Sequence, residues 1–341
     1  MAARMIKSKC RIVAALALFL ILPLSAGAQR LLVFPFEQKQ GPESAKWLGM
    51  GLGVAVHDAL SVSGVPSMPL EDLLYFYDQE GLVPQPSFSL AAQLALVRQL
   101  GAGAVVTGNY DVAGEAVTAE VQLISLDGDP ELKGRWKESS SLRDLLDLTA
   151  RLRDHLLPVM GKSPANEAPV KPEAFEAYIR GRIADDATVK EVYFRKAVEI
   201  EPAYDDAWCY LAKLLFESGR VTEAKSILEK LRPKNYAKAY IGLCTLGQIR
   251  LEGGAFGDAR SLFELSIKRG ENAQAHIGLA RLLMRQKRFS EASREIKVAR
   301  SFGTDQDDID QVASELDRLK AAPQPAPSAG GSPQQPPTPQ P

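Results

Sequence analysis

The chain lacks any imbalance of charge: over 341 residues, 41 Lys and Arg stand against 42 Asp and Glu. That excludes the basic footprint of a nucleic-acid binder and the one-signed field of a protein that clings to charged surfaces. Histidine and cysteine are scarce, three of each. His57, His155 and His276 fall in separate predicted helices, with no His-Glu-x-x-His, no cysteine pair at metal spacing and no Gly-x-Ser-x-Gly elbow. No Gly-x-x-x-x-Gly-Lys-Ser/Thr string occurs either. The residue inventory thus points to no metal, no cofactor and no catalytic centre, and the expectation is a protein that is not an enzyme. Were a hydrolytic site hidden here, Asp58 beside His57 is where it would be sought.

One long apolar run is present, Ile12 to Leu24, and at 13 residues it is too short to span a bilayer comfortably. Arg4, Lys7, Lys9 and Arg11 precede it and Ala26-Gly27-Ala28 follows. Those flanks predict a signal peptide over residues 1–28, cleaved before Gln29, with an uncleaved anchor as the other reading. No cysteine follows the run, so a lipid anchor is not indicated. The mature chain is expected to be periplasmic or secreted, with no integral membrane segment after cleavage.

Residues 29–160 read as an α/β domain with a mixed sheet. Leu31 to Phe36 is a short apolar strand closing on Pro35, and Ser44 to Val62 has helical spacing, with Ser44 as its cap and Trp47, Leu48, Leu52, Val56, Ala59 and Leu60 on one face. Val65 to Met68 is a weak second strand. Leu70 to Tyr77 and Leu90 to Leu100 are predicted helices, separated by a loop with Pro84 and Pro86. The period then changes to two, giving strands at 104–112, 116–126 and 133–139, before a last helix capped by Ser141 and ending at Pro158. Gly49-Met50-Gly51-Leu52-Gly53 lacks the third glycine of a dinucleotide fingerprint and starts about a dozen residues after its strand, so it reads as close packing of a helix on the sheet.

Residues 161–172 form a linker, and residues 173–320 are organised around a repeat. Gly219-Arg220-Val221-Thr222-Glu223-Ala224, Gly254-Ala255-Phe256-Gly257-Asp258-Ala259 and Lys287-Arg288-Phe289-Ser290-Glu291-Ala292 recur with alanines 35 and then 33 residues apart. Twelve residues before each alanine stands another small residue, Ala212, Gly247 or Ala280. Small residues at that separation across a turn describe a helical hairpin with closely touching helices. A single such hairpin cannot bury its apolar face, so copies stack.

At these residues the chain resembles the tetratricopeptide repeat family. Trp208, Leu211, Ala212, Gly219, Ala224 and Leu228 match one repeat; Leu243, Leu246, Gly247, Gly254, Ala259 and Phe263 match the next. His276, Leu279, Ala280, Ala292, Ile296 and Ala299 match a third, with Lys287 where a turn glycine is expected. Phe194, Ala197 and Pro202 fit the end of an earlier copy, shortened because Gly181 lies about three residues too close and Lys190 replaces a small residue. Ile309, Val312, Leu316 and Leu319 make a polar-backed terminal cap, and residues 321–341 are a Pro- and Gln-rich tail expected to be disordered. The acidic run Asp305-Gln306-Asp307-Asp308 lacks the loop glycine of a calcium site and suits the start of a helix.

The amino-terminal half resembles the TolB amino-terminal domain, through Leu32 to Phe36, Trp47 to Leu52, Gly101 to Tyr110 and the strand from Val117 to Asp127. That resemblance implies a contact role in the cell envelope, with no catalytic residue to carry over and no propeller following.

The tetratricopeptide resemblance implies a concave face lined by the first helices of the hairpins. Its outward positions are Asp206, Cys209, Lys213 and Phe216; Ile241, Cys244, Gln248 and Leu251; and Gln274, Ile277, Arg281 and Met284, with Arg285 alongside. The column Lys213, Gln248, Arg281 over an apolar floor of Phe216, Leu251 and Met284 suits an extended peptide or a helix bearing an acidic group. Cys209 and Cys244 share one place in consecutive repeats and are expected to be buried or groove-lining thiols, a disulfide being the alternative. Function is expected to be that of a scaffold for protein partners in the cell envelope. The alternative is a regulatory subunit of an envelope enzyme or of a secretion or cell-wall machine.

Overall fold

The computed structural model describes residues 30–68, 73, 89–165, 170–231, 239–270, 272–302 and 305–321. The expected signal peptide, all but Leu73 of the helix expected over Leu70 to Tyr77, the loop with Pro84 and Pro86, part of the linker and the tail beyond Ala321 lie outside the described residues. The chain divides into two compact units, with described residues 30–68 and 89–165 in the first and 170–321 in the second.

The first unit is built on a five-stranded mixed sheet. Strands β1 (Leu31–Val33) and β2 (Glu37–Gln40) lie end to end along one side of β3 (Ala104–Ala113), parallel to it, while β4 (Ala116–Ser125) and β5 (Glu131–Ser141) continue antiparallel. Pro35 separates β1 from β2 because it has no N–H to give the ladder. The flanking residues stay bonded: Phe34 N donates to Val106 O at 2.9 Å and Phe36 N to Gly49 O at 2.8 Å. The segment expected as a second strand reduces to one bridge, Ser67 beside Leu31.

Helix α1 (Trp47–Val62) departs from the sequence reading in two ways. A short 3₁₀ turn, Glu43–Ala45, precedes it and Lys46 holds the N-cap position, so Ser44 does not cap the helix. Nor is the helix one-faced: Gly49, Gly51, Gly53, Val54, Ala55 and His57 are buried with the leucines. The glycines explain this, since a Cβ on Gly53 would lie 3.0 Å from Phe34 O and one on Gly49 would strike the carbonyl oxygen of Phe36. The backbone of Phe34 to Phe36, between β1 and β2, therefore lies directly on the helix. Tyr110, 1 % exposed, closes the other end by donating its hydroxyl to Ala45 O at 3.0 Å.

Helix α2 (Leu90–Gln99) is capped by Ser89, whose hydroxyl accepts from Ala92 N. Helix α3 (Leu145–Val159) buries Leu145, Leu148, Leu152 and Leu156 against α1 and β5, one turn apart as a helix of 3.6 residues requires. Ser141 caps the 3₁₀ turn before α3, Leu142–Asp144, and the helix runs one residue past Pro158. Glu138 on β5 ties the two elements together, 3.0 Å from Arg151 Nε and 2.8 Å from His155 Nε2 on α3. Those two partners, His155 foremost, hold its carboxyl below the usual carboxylate range.

The described residues of the second unit from 170 onward form four helical hairpins and a final helix. The pairs are α4 (Pro172–Ile183) with α5 (Ala187–Ile200), α6 (Asp205–Glu217) with α7 (Val221–Lys230), α8 (Ala239–Glu252) with α9 (Phe256–Arg269), and α10 (Ala273–Arg285) with α11 (Phe289–Arg300); α12 (Gln306–Ala321) follows. From α8 onward each first helix packs on both helices of the hairpin before it. The core is accordingly made at the joints. One cluster joins Cys244 and Phe263 of the third hairpin to Ala275, Leu279 and Leu282 of the fourth, and another joins Ile277, Leu283 and Ile296 of the fourth to Ile309, Val312 and Leu316 of α12.

Three of the hairpin turns share one geometry. Gly219 and Gly254 have φ of 78° and 76°, and Lys287 takes the same left-handed place at 61°. Each is followed by the same reach back to the first helix: Arg220 N donates to Leu215 O, Ala255 N to Arg250 O and Arg288 N to Leu283 O, at 2.8 to 2.9 Å. A lysine with a Cβ is strained there. Lys287→Gly is expected to stabilise the unit by roughly 0.5–1 kcal/mol, read as a higher urea midpoint at unchanged slope.

The first hairpin is shortened at a definite point. Its small residue is Gly181, where a Cβ would lie 2.7 Å from the Phe194 ring, as one on Gly247 would from Phe263. Helix α4 ends two residues after Gly181, whereas α6, α8 and α10 run five residues beyond Ala212, Gly247 and Ala280. The missing turn of helix accounts for the contracted spacing.

Candidate functional site

Trp208, Leu243 and His276, at one register of α6, α8 and α10, are all half-buried. Trp208 donates its indole N–H to Pro202 O at 3.0 Å, and His276 Nδ1 lies 2.8 Å from Glu295 on α11. His276 is thus engaged within its own hairpin.

Placing Gly181 as the small residue of the first hairpin puts Arg182 at the register of Lys213, Gln248 and Arg281. The sequence reading missed this member of the column because the spacing there is three residues short. Arg182 lies over two rings, with its guanidinium carbon 5.5 Å from the centre of Tyr178 and 5.0 Å from that of Tyr210.

The remaining members meet acids and amides of their own chain. Lys213 Nζ is 3.4 Å from Glu217, Gln248 donates to Gln274 at 3.5 Å, and Arg281 pairs with Asp308 at the start of α12. Arg285 is exposed, with Nη1 3.4 Å from Leu251 O. Phe216 is half-buried, while Leu251 and Met284 are each 4 % exposed and packed into the joints between hairpins. Ile277 and Cys209 are at 0 % and Cys244 at 5 %, so these positions form the layer beneath the column.

Asp305 joins this group from outside the repeats. Its φ of 54° places it in the left-handed region, which an aspartate tolerates better than most residues. Burial raises its carboxyl above the usual range, against the hydrogen bond from Gln274 and the charge of Lys213; Asp308 and Glu217 raise it further. An acid raised in the fold takes up its proton more readily folded than unfolded, so this group adds stability as pH falls towards its ordinary value and gives it up as pH rises through its raised one.

Both described cysteines are buried thiols not joined in a disulfide. Burial pushes the Cys244 thiol up to about 12, with Lys213 and Arg281 lowering it only in part. Neither Cys209 nor Cys244 is expected to react with a thiol reagent at pH 8 in the folded protein, and both should react in denaturant, as peptide mapping after alkylation will show.

In the first unit, His57 is 4 % exposed, with Nδ1 2.8 Å from Asp58 and Nε2 3.2 Å from Ser67 Oγ. The contacts tie α1 to the segment that bridges β1. Among the described residues, no group of three or more His, Cys, Asp or Glu is placed to hold a metal ion, and no helix is long and apolar enough to cross a membrane.

Hairpins of one period, one turn geometry and one packing register agree with a comparison against family models, in which residues 185–246 match the tetratricopeptide repeat. The helical half is a tetratricopeptide-repeat array. No curated protein matches the chain. Among solved structures, the LpoB C-terminal domain from Escherichia coli is 21 % identical, covering 33 % of this chain and 83 % of that one, at a TM-score of 0.28. The Salmonella enterica LpoB domain is 18 % identical over the same shares, at 0.27. Pseudomonas aeruginosa pilF is 16 % identical, covering 53 % of this chain and 86 % of that one, at 0.30. The tetratricopeptide array implies protein partners.

Proposed function

We propose that this protein is an exported, non-enzymatic scaffold whose repeat groove holds a peptide or helix of a cell-envelope partner, leaving its α/β unit to contact a second. The observation that carries the reading is the column formed by the first helices: Arg182, Lys213, Gln248 and Arg281 at one register, with Phe216 and Arg285 beside it and Leu251 and Met284 supporting the floor from beneath. A ladder of half-exposed polar side chains over a close-packed layer suits an extended segment, which finds a repeated spacing to bond to. Export rests on the first 28 residues.

A photo-crosslinking side chain placed at Phe216 or Arg285, in cells that make the protein, is expected to capture one envelope protein. The same group at Ser226, exposed on α7, should not capture it. Failure of every groove position to yield an adduct removes the reading. Sequencing of the mature amino terminus is expected to begin at Gln29, and an intact Met1 contradicts export by cleavage.

A further inference from the structure

The acidic run before and within the first turn of α12 is accounted for in the sequence by favourable charge at a helix N-terminus. The structure gives two of its carboxyls a further role. Asp308 stands 34 residues beyond Gln274, which stands 33 beyond Ile241, itself 35 beyond Asp206. Helix α12 therefore occupies the place of a fifth first helix, and Asp308 meets Arg281 as Gln274 meets Gln248 in the joint before. Asp305 adds a second carboxyl just before the helix, hydrogen-bonded by Gln274 and acted on by the charge of Lys213. Arg281 thus meets an acid supplied by this segment, while Lys213 pairs with Glu217 of its own helix. The Arg281–Asp308 pair is about two-thirds shielded, at 33 % and 28 % side-chain exposure, where salt screens a pair less than in the open.

We propose that the start of α12 is an intramolecular stand-in for the partner, and that the array takes a carboxylate-bearing segment by exchanging Asp308 for a carboxylate of that segment at Arg281. The proposal rests on the groove reading above and names its partner chemistry. Charge complementarity fixes the sign of the partner, since Arg281 lines the column and the acid that meets it comes from α12, outside the four hairpins. In the exchange one carboxylate replaces another, so the partly buried guanidinium need not be left unpaired. Affinity is then a difference between two similar pairs, which makes the contact reversible and lets Asp308 set its strength.

The test uses the full chain and a fluorescent ten-residue glutamate peptide, followed by anisotropy at low salt, with a ten-residue lysine peptide as control. Asp308→Asn is expected to tighten binding of the glutamate peptide by about tenfold, the effect of one charge-assisted contact released from competition, and Arg281→Gln in the same chain should abolish the gain. The charge-exchanged pair Arg281→Asp with Asp308→Arg preserves the internal contact and is expected to shift preference towards the lysine peptide; this variant decides the matter should Asp308→Asn fail to fold. Unchanged binding in Asp308→Asn, or a glutamate preference that survives the exchanged pair, overturns the proposal. If crosslinking from Phe216 still captures its envelope protein while these peptide results fail, the scaffold reading stands and only the exchange is lost.

Discussion

Phe263→Ala is expected to destabilise the repeat unit by about 3–5 kcal/mol, the range for emptying a fully buried aromatic site. Phe263 is 0 % exposed, and its ring lies against Gly247 of its own hairpin and Gly278 of the next. A Cβ on Gly247 would come within 2.7 Å of that ring, and one on Gly278 would collide with it. The ring is thus a wedge between three helices of two hairpins, and its loss opens the joint that holds them. Against a total stability of about 5–15 kcal/mol, one joint is a large fraction. Urea unfolding followed by far-UV circular dichroism reads the change directly. A cost under about 1 kcal/mol means the ring is not a wedge. Gly278→Val should fail by the opposite route, overfilling the same place.

Gly49→Ala is expected to cost the first unit about 2–3 kcal/mol, a large effect for one methyl group. The obstacle is the backbone carbonyl of Phe36, which cannot rotate away, and the same pair of residues shares the hydrogen bond from Phe36 N to Gly49 O at 2.8 Å. Gly257→Ala is the control, because nothing lies within 4 Å of its added Cβ and alanine favours a helix. A thermal midpoint that drops for Gly49→Ala and holds or rises for Gly257→Ala is the expected pattern. Equal behaviour of the two shows that α1 does not lie on the backbone between β1 and β2.

The residues that were legible in the sequence are those whose pattern has a period. The alternation of Val117, Ala119, Val121 and Leu123 gave β4, and the spacing of Ala224, Ala259 and Ala292 gave the hairpins, because burial on one side imposes a repeat on the residues that serve it. Lys287 kept its turn because the left-handed position follows from the hairpin, whichever residue occupies it. What escaped lacks a local mark. Helix α1 is buried around most of its circumference, so no narrow one-sided stripe describes it. Arg182 escaped because a helix three residues short shifts it out of register, and only the contact of Gly181 with Phe194 restores the alignment. Leu251 and Met284 occupy outward positions in a single hairpin and become interior once the next hairpin stacks on them. Asp305 and Asp308 have the composition of any helix start, and the pairing of Asp308 with Arg281 depends on how α12 stacks on the hairpin before it.

The same dependence on neighbours supplies the most direct test of the account. Circular dichroism of the isolated hairpin 239–270, measured beside the fragment 170–321, compares one pair of helices with the stacked set. The longer fragment is expected to be helical and to unfold in a single cooperative transition, while the lone hairpin, with Phe263 and Leu251 exposed to water, shows little helix. A hairpin that is helical and unfolds cooperatively by itself contradicts the claim that the array is stabilised at its joints.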